Sequence, residues 1–177
     1  MDEPVDELTE VALRARRGDQ AAAAAFVRAT QADVWRLCTG LSSRDQADDL
    51  TQETYARAFA SLHRFAGRSS ARTWLLAIAR YVCAGHVRTA VRRRGAAPLP
   101  MAPASPDPAS IVAANALLDG LDAERREAFV LTQLIGLSYA EAAEVCGCPV
   151  GTIRSRVARA RDDLVAAVRP EVRRKKA

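Results

Sequence analysis

Ser138 to Val168 read SYAEAAEVCGCPVGTIRSRVARARDDLVAAV, and the reading of this stretch decides the fold of the C-terminal half. Ser138 and Glu141 stand in the Ser-x-x-Glu arrangement, in which hydroxyl and carboxylate cap the first helical turn reciprocally. The helix they start ends at Gly147. A tight Gly147-Cys148-Pro149 turn follows, and a longer helix begins at Pro149 and runs to about Val168, before Pro170. On it Ile153, Val157, Ala160 and Leu164 are spaced by 4, 3 and 4 residues, which makes one buried stripe. Thr152, Ser155 and Arg159 lie opposite that stripe, with Arg154 and Arg156 on its two flanks. A short helix, a tight turn and a basic helix have the anatomy of a helix-turn-helix. Such a helix would turn Thr152, Ser155 and Arg159 toward bases in the major groove, and the flanking arginines toward bases or phosphates. The alternative is a solvated basic face on an ordinary amphipathic helix. The coincidence of turn, capping box and acid-free face favours DNA.

Working outward, the chain has 177 residues, enough for one ordinary domain or two small ones. Only 5% are aromatic, so the cores must be built from Ala, Leu, Val and Ile. Alternating Val/Ile/Thr runs are absent and Ala21 to Ala25 favour helix, so the expected fold is all-α. Pro98, Pro100, Pro103, Pro106 and Pro108 withdraw donors and fix φ within eleven residues. They predict an extended linker, residues 96–110, between two small helical domains at 1–95 and 111–177. A helical pattern runs from Thr9 to Leu41 with Phe26, Val34, Leu37 and Leu41 as its core stripe, broken at Gly18-Asp19. The first ten residues hold five acids and are expected to fray. A helix from Asp45 to Leu62 repeats Leu50, Thr54, Ala58 and Leu62 every four residues. A loop from Phe65 to Ser70 precedes a helix from Ala71 to about Arg94. Beyond the linker, Ile111 to Ile135 form a helix interrupted near Gly120 and stopped by Gly136.

The net charge is +5, and with two lysines among 26 basic residues, 26 − 2 = 24 are arginine. A GC-rich genome accounts for that total but not for its placement. Asp45, Asp48, Asp49 and Glu53 fall within nine residues, whereas residues 54–106 carry nine arginines and no acid. Two separate basic segments predict two separate anionic contacts. Asp48, Asp49, Gln52 and Glu53 share one helix face that repels DNA and needs another partner, unless it only solubilises the surface. In the neighbouring loop, Arg68, Ser69, Ser70 and Arg72 suit an unpaired nucleic acid strand. Trp74, followed by Ile78 and Val82 at four-residue spacing, reads as core.

Cys38, Cys83, Cys146 and Cys148 lack a secreted spacing and read as buried reduced thiols. Cys83 with His86, and Cys146 with Cys148, give two ligands each with no matching pair, so no metal or other cofactor is expected. No apolar run reaches the ~20 residues of a membrane span, and a cytoplasmic protein is expected. With His63 and His86 as the only histidines, no glycine-rich phosphate loop and no carboxylate cluster for Mg²⁺, no enzyme activity is expected.

Three segments resemble one family. Asp48-Asp-Leu-Thr-Gln-Glu-Thr54, Ser70-Ala-Arg-Thr-Trp-Leu-Leu-Ala-Ile-Ala-Arg80 and Gly151-Thr-Ile-Arg-Ser-Arg-Val-Ala-Arg-Ala-Arg161 are similar to the extracytoplasmic-function (ECF) RNA polymerase sigma factors, in particular the sigma C type of the actinobacteria. The resemblance implies a sigma region 2 bundle and a region 4 helix-turn-helix that together direct core polymerase to promoters. It implies that Asp48, Asp49, Gln52 and Glu53 bind the clamp helices of the largest subunit. Arg68, Ser69, Ser70, Arg72, Arg80 and Arg88 would hold the −10 element, and Ser138, Thr152, Arg154, Ser155, Arg156 and Arg159 the −35 element. An anti-sigma protein is a further implied partner. Tyr81 and Gly85 depart from the family pattern, which often has Asn and Asp there. The rival reading is a conventional helix-turn-helix regulator whose N-terminal half senses a signal.

Overall fold

A computed structural model describes the backbone at residues 6–93 and 116–174, and the side chains at 6–89 and 116–168. The proline segment lies outside the described residues. Among those described, every regular element is helical: α1 (Glu7–Arg16), α2 (Gln20–Leu41), α3 (Arg44–Ser61) with a 3₁₀ turn at Leu62–Arg64, α4 (Ala71–Arg93), α5 (described at 116–119), α6 (Ala123–Phe129), α7 (Tyr139–Cys146) and α8 (Val150–Arg174).

The expectation of a frayed start does not hold beyond residue 6. Asp6 caps α1, accepting from the Thr9 amide at 3.0 Å and from Thr9 Oγ1 at 2.6 Å, so the acids sit at the positive end of the helix dipole. Chain direction changes at Gly18, whose φ of 95° favours glycine. Asp19 then caps α2, and its carboxyl is held below its usual range by the Ala22 amide and the Arg14 guanidinium.

α1 to α4 enclose one core. Phe26, Val34, Leu37 and Cys38 of α2 meet Leu50, Thr54 and Ala58 of α3 and Leu75, Leu76, Ala79, Val82 and Cys83 of α4. Leu41, expected in the stripe, is only half-buried. Each fully buried large apolar side chain contributes roughly 1.5–3 kcal/mol, so this interior supports a bundle with few aromatics. Burial claims the Cys38 and Cys83 thiols as expected, and the Cys83 thiol is held above the usual range by its hydrogen bond to Cys38 and by desolvation. Cys146 and Cys148 are half-buried, because they flank the turn at the edge of the second core.

That second core joins Ala128, Val130, Leu131, Val145, Ile153, Val157 and Ala160. The predicted helix to Ile135 is shorter than expected: α6 gives way to a π-helical turn at Val130–Leu134, closed by Ile135 N donating to Val130 O at 3.0 Å. α8 runs on to Arg174, past Pro170, where a stop was expected. A proline there removes one helical hydrogen bond, that to the carbonyl of Ala166, an exposed residue.

The two cores touch. Gly40 of α2 lies against the π turn so closely that a Cβ at this position would stand 2.7 Å from Val130 Cγ1. Arg126 of α6 reaches across to the Gly40 carbonyl (2.6 Å) and the Ser42 carbonyl (3.4 Å), capping the end of α2 with a cation.

Candidate nucleic-acid interface

The C-terminal half forms the helix-turn-helix read from its residues. Both arms of the capping box are present: Glu141 N donates to Ser138 Oγ (3.2 Å) and Ser138 N to Glu141 Oε2 (2.8 Å). Gly147 takes a left-handed φ of 64°, and Thr152 N closes the following turn on Pro149 O at 2.9 Å. Ile153, Val157 and Ala160 are buried and Leu164 half-buried, so the opposite face of α8 is turned outward. Arg154, Ser155 and Arg159 are exposed on it, with Thr152 half-buried at its start. Arg156 sits on a flank of the stripe, as expected, but its side chain is taken up within the protein. It is 18% exposed and ion-paired with Glu124, with Cys148 Sγ 3.7 Å away. Arg161 is likewise held, donating to Gln133 Oε1 at 2.7 Å. The helix therefore presents two unpaired arginines among the described residues, Arg154 and Arg159, while Arg156 braces it against α6.

In the N-terminal half, α1 supports the loop that precedes α4. Arg16 donates to the Phe65 carbonyl (2.8 Å), the Ala71 amide donates to Thr9 Oγ1 (2.8 Å), and Gly67, with φ 71°, lies beside Leu13. Ser70 caps α4, its Oγ accepting from the Thr73 amide at 3.1 Å. Phe65 and Trp74 rings meet at 4.8 Å, so Trp74 packs behind the loop as read. Arg68 stands exposed and Ser69 half-buried. The dependence of this loop on Thr9, Leu13 and Arg16 had no local signal, since the bonds span up to 62 residues.

The carboxylate face of α3 is open. Asp48, Asp49, Gln52 and Glu53 are all exposed. Asp48 accepts from Trp35 Nε1 at 2.8 Å, and Glu53 pairs with Arg57 at 2.6 Å. Asp49 and Gln52 face solvent.

Two of the basic candidates are occupied by the other half of the chain. Arg72 bonds Asp33 at 2.7 Å and the Ile135 carbonyl at 2.8 Å. Arg80 pairs with Glu127 of α6 at 2.9 Å. Both are 31% exposed, whereas Arg68 and Arg88 point outward. Burial, together with the same Glu127, pushes the Cys146 thiol up to about 11. Among the described residues no group of three or more His, Cys, Asp or Glu could hold a metal, and no helix is long and apolar enough to cross a membrane.

Comparison with known proteins assigns both halves. Residues 26–93 match sigma-70 region 2, and residues 111–164 match sigma-70 region 4. The ECF RNA polymerase sigma factor SigC of Mycobacterium tuberculosis is 51% identical over 94% of this chain and 94% of its own length. The ECF RNA polymerase sigma-E factor of Escherichia coli is 30% identical over 96% and 99%. Among solved structures, CnrH in complex with the cytosolic domain of CnrY aligns with a TM-score of 0.77 at 26% identity, over 93% of this chain and 99% of that one. The sigma factor RpoE in complex with the anti-sigma factor NepR from Bartonella quintana aligns at 0.70 and 31% identity, over 81% and 94%.

Proposed function

The chain belongs to the extracytoplasmic-function branch of the sigma-70 family and is an alternative RNA polymerase sigma factor, and from that premise we propose how its surfaces divide the work. It is a regulatory protein that binds core polymerase and promoter DNA. The rival reading, a sensing half attached to a conventional helix-turn-helix, does not fit a match to region 2 across residues 26–93.

In this proposal residues 1–95 engage polymerase and the −10 element, residues 96–110 link, and residues 111–177 hold the −35 element. The carboxylates of α3 dock on the clamp helices of the largest subunit. Asp49 and Gln52 are the leading contacts because they face solvent without a partner, whereas Asp48 and Glu53 exchange Trp35 and Arg57 for the new surface. Arg68 and Ser69 take the exposed −10 strand, and Ser70 acts by holding the first turn of α4. Arg154, Ser155 and Arg159, with Thr152, read the −35 duplex. Bidentate contacts to guanine contribute about 1–3 kcal/mol of discrimination each. Ser138 caps α7, and Arg156 braces α8 against α6. The protein works in the cytoplasm.

The observation that carries this reading is an open carboxylate face on α3 followed along the chain by a segment, residues 54–93, that bears arginines and no acid. Its test is core binding. Asp49→Lys should weaken the affinity for core polymerase by tenfold or more, measured by fluorescence anisotropy, with the melting temperature unchanged. An affinity equal to wild type removes the acidic face from the proposal.

The packing of the halves favours a second element. Arg72 and Arg80 are needed by DNA and are held by Asp33, Ile135 O and Glu127. The closed arrangement is therefore a resting form, and polymerase must separate the halves before the −10 strand can be held. A protein that binds the closed form more tightly than the open one would act as an anti-sigma factor by mass action.

A further inference from the structure

Two thiols bracket the turn of the helix-turn-helix. Cys146 ends α7, Gly147 takes the left-handed conformation, and Cys148 leads into Pro149 and α8. Both cysteines are half-buried, unlike Cys38 and Cys83, which the first core encloses. The turn is a two-bond cap: Gly147 N donates to Glu144 O at 3.2 Å, and Cys148 N to Ala143 O at 3.1 Å. Two steps of about 3.8 Å folded at such a residue put the flanking Cα atoms about 5.5 Å apart, inside the roughly 4.4–6.8 Å that a disulfide spans. The sulfurs are engaged with different partners. Cys148 Sγ accepts from Arg156 Nη1 at 3.7 Å, and Arg156 in turn pairs with Glu124, which ties the turn to α8 and α8 to α6. Cys146 feels the charges of Glu127 and Arg80, the ion pair that joins the two halves of the chain.

Resting on the sigma reading above, we propose that Cys146 and Cys148 join in a disulfide that weakens −35 recognition, with a small-molecule disulfide of the thiol pool as oxidant. The Cys148 thiolate attacks the small disulfide, forms a mixed disulfide and releases one thiolate. The Cys146 thiolate then attacks the Cys148 sulfur, closes the protein disulfide and releases the second. Two protein thiols are oxidised, one small disulfide is reduced to two thiols, and the two protons pass to the released thiolates. Arg156 places a guanidinium beside the sulfur that attacks first. Closing the ring draws Cys148 Sγ away from Arg156 and strains the two-bond cap, so the turn and the brace of α8 loosen together. Arg154, Ser155 and Arg159 then lose the rigid support that base reading needs. In the closed arrangement α4 packs against α7 and shields Cys146, so oxidation proceeds through the open one.

The test treats the full chain with oxidised glutathione, removes the oxidant, maps the cysteines by peptide mass spectrometry and assembles holoenzyme with core polymerase. Mapping should find one disulfide, between Cys146 and Cys148, with Cys38 and Cys83 still reduced. The oxidised holoenzyme should bind a promoter with a −35 element about tenfold more weakly than the reduced one. Its affinity for a −10 fork without that element should be unchanged, and dithiothreitol should restore the loss. Cys148→Ser, whose hydroxyl still accepts from Arg156, should bind as the reduced parent does and ignore the oxidant. Gly40→Ala, which crowds Val130 where the halves meet, should oxidise faster than the parent. A protein disulfide elsewhere, or none, overturns the proposal. An oxidised 146–148 form that binds the −35 promoter as tightly as the reduced form overturns it too. Equal oxidation rates in Gly40→Ala and the parent overturn the shielding of Cys146 by closure. Reduced holoenzyme that is indifferent to the −35 sequence overturns the reading of α8 instead, whatever the disulfide map shows.

Discussion

Gly40→Ala separates folding from closure. A Cβ on residue 40 would stand 2.7 Å from Val130 Cγ1 and 3.0 Å from Cγ2. Val130 is fully buried and β-branched, so its χ1 strongly prefers one rotamer and it yields little. Forcing a methyl into such a contact costs roughly 1–3 kcal/mol, and here the cost falls only on the closed arrangement. In the open form residue 40 is a helix position, and Ala is better than Gly there by about 1 kcal/mol. The variant should therefore melt no earlier as an α1–α4 bundle, while its open population rises about 5- to 150-fold. Arg72 and Arg80 lose Ile135 O and Glu127 on opening. Small-angle scattering should show a larger radius of gyration, and anisotropy should show tighter binding of a −10 single strand without core polymerase. Adding Val130→Ala should restore much of the closure, a coupling that a double-mutant cycle measures. An unchanged scattering profile with unchanged strand affinity would refute the argument that this contact holds the halves together.

Two further outcomes follow from the geometry. Arg154→Ala and Arg159→Ala should each reduce transcription by an amount that depends on the −35 sequence, at about 1–3 kcal/mol per lost base contact; equal losses on all promoters would reduce both to phosphate contacts. Cys146, with its thiol pushed up to about 11 by burial and Glu127, should react with iodoacetamide at pH 8 on the order of a hundredfold more slowly than an ordinary thiol. Its rate should rise in Gly40→Ala, because separation exposes the thiol and relieves the burial that raises it, a larger effect than losing the Arg80 cation, which lowers it; an unchanged rate would mean that Cys146 does not report the interface.

What could be read in the residues was local. Gly18-Asp19, Ser138 with Glu141, and Gly147 mark helix ends by chemistry confined to four residues, and the stripes of α3 and α8 follow from helical period alone. The elements were therefore legible almost throughout, as was the open face around Asp49. What was not legible depends on partners far along the chain. Arg72 and Arg80 read as open DNA contacts, yet Ile135 O and Glu127 lie 63 and 47 residues away in sequence. Gly40 carried no motif, since its role exists only against Val130. The acid-rich start looked frayed although the Asp6 cap on Thr9 is local; the support that Thr9 gives to Ala71 N, 62 residues away, has no signature in the sequence. At Pro170 the local rule was outweighed by a helix end that tolerates one missing bond.

That this chain lends promoter choice to polymerase is tested by single-round run-off transcription with sigma-free core on fragments of the source genome. Discrete transcripts from a subset of fragments are expected, each lost when the −10 or −35 sequence upstream of its start is replaced. Transcription that stays at the level of core polymerase alone on every fragment would contradict it.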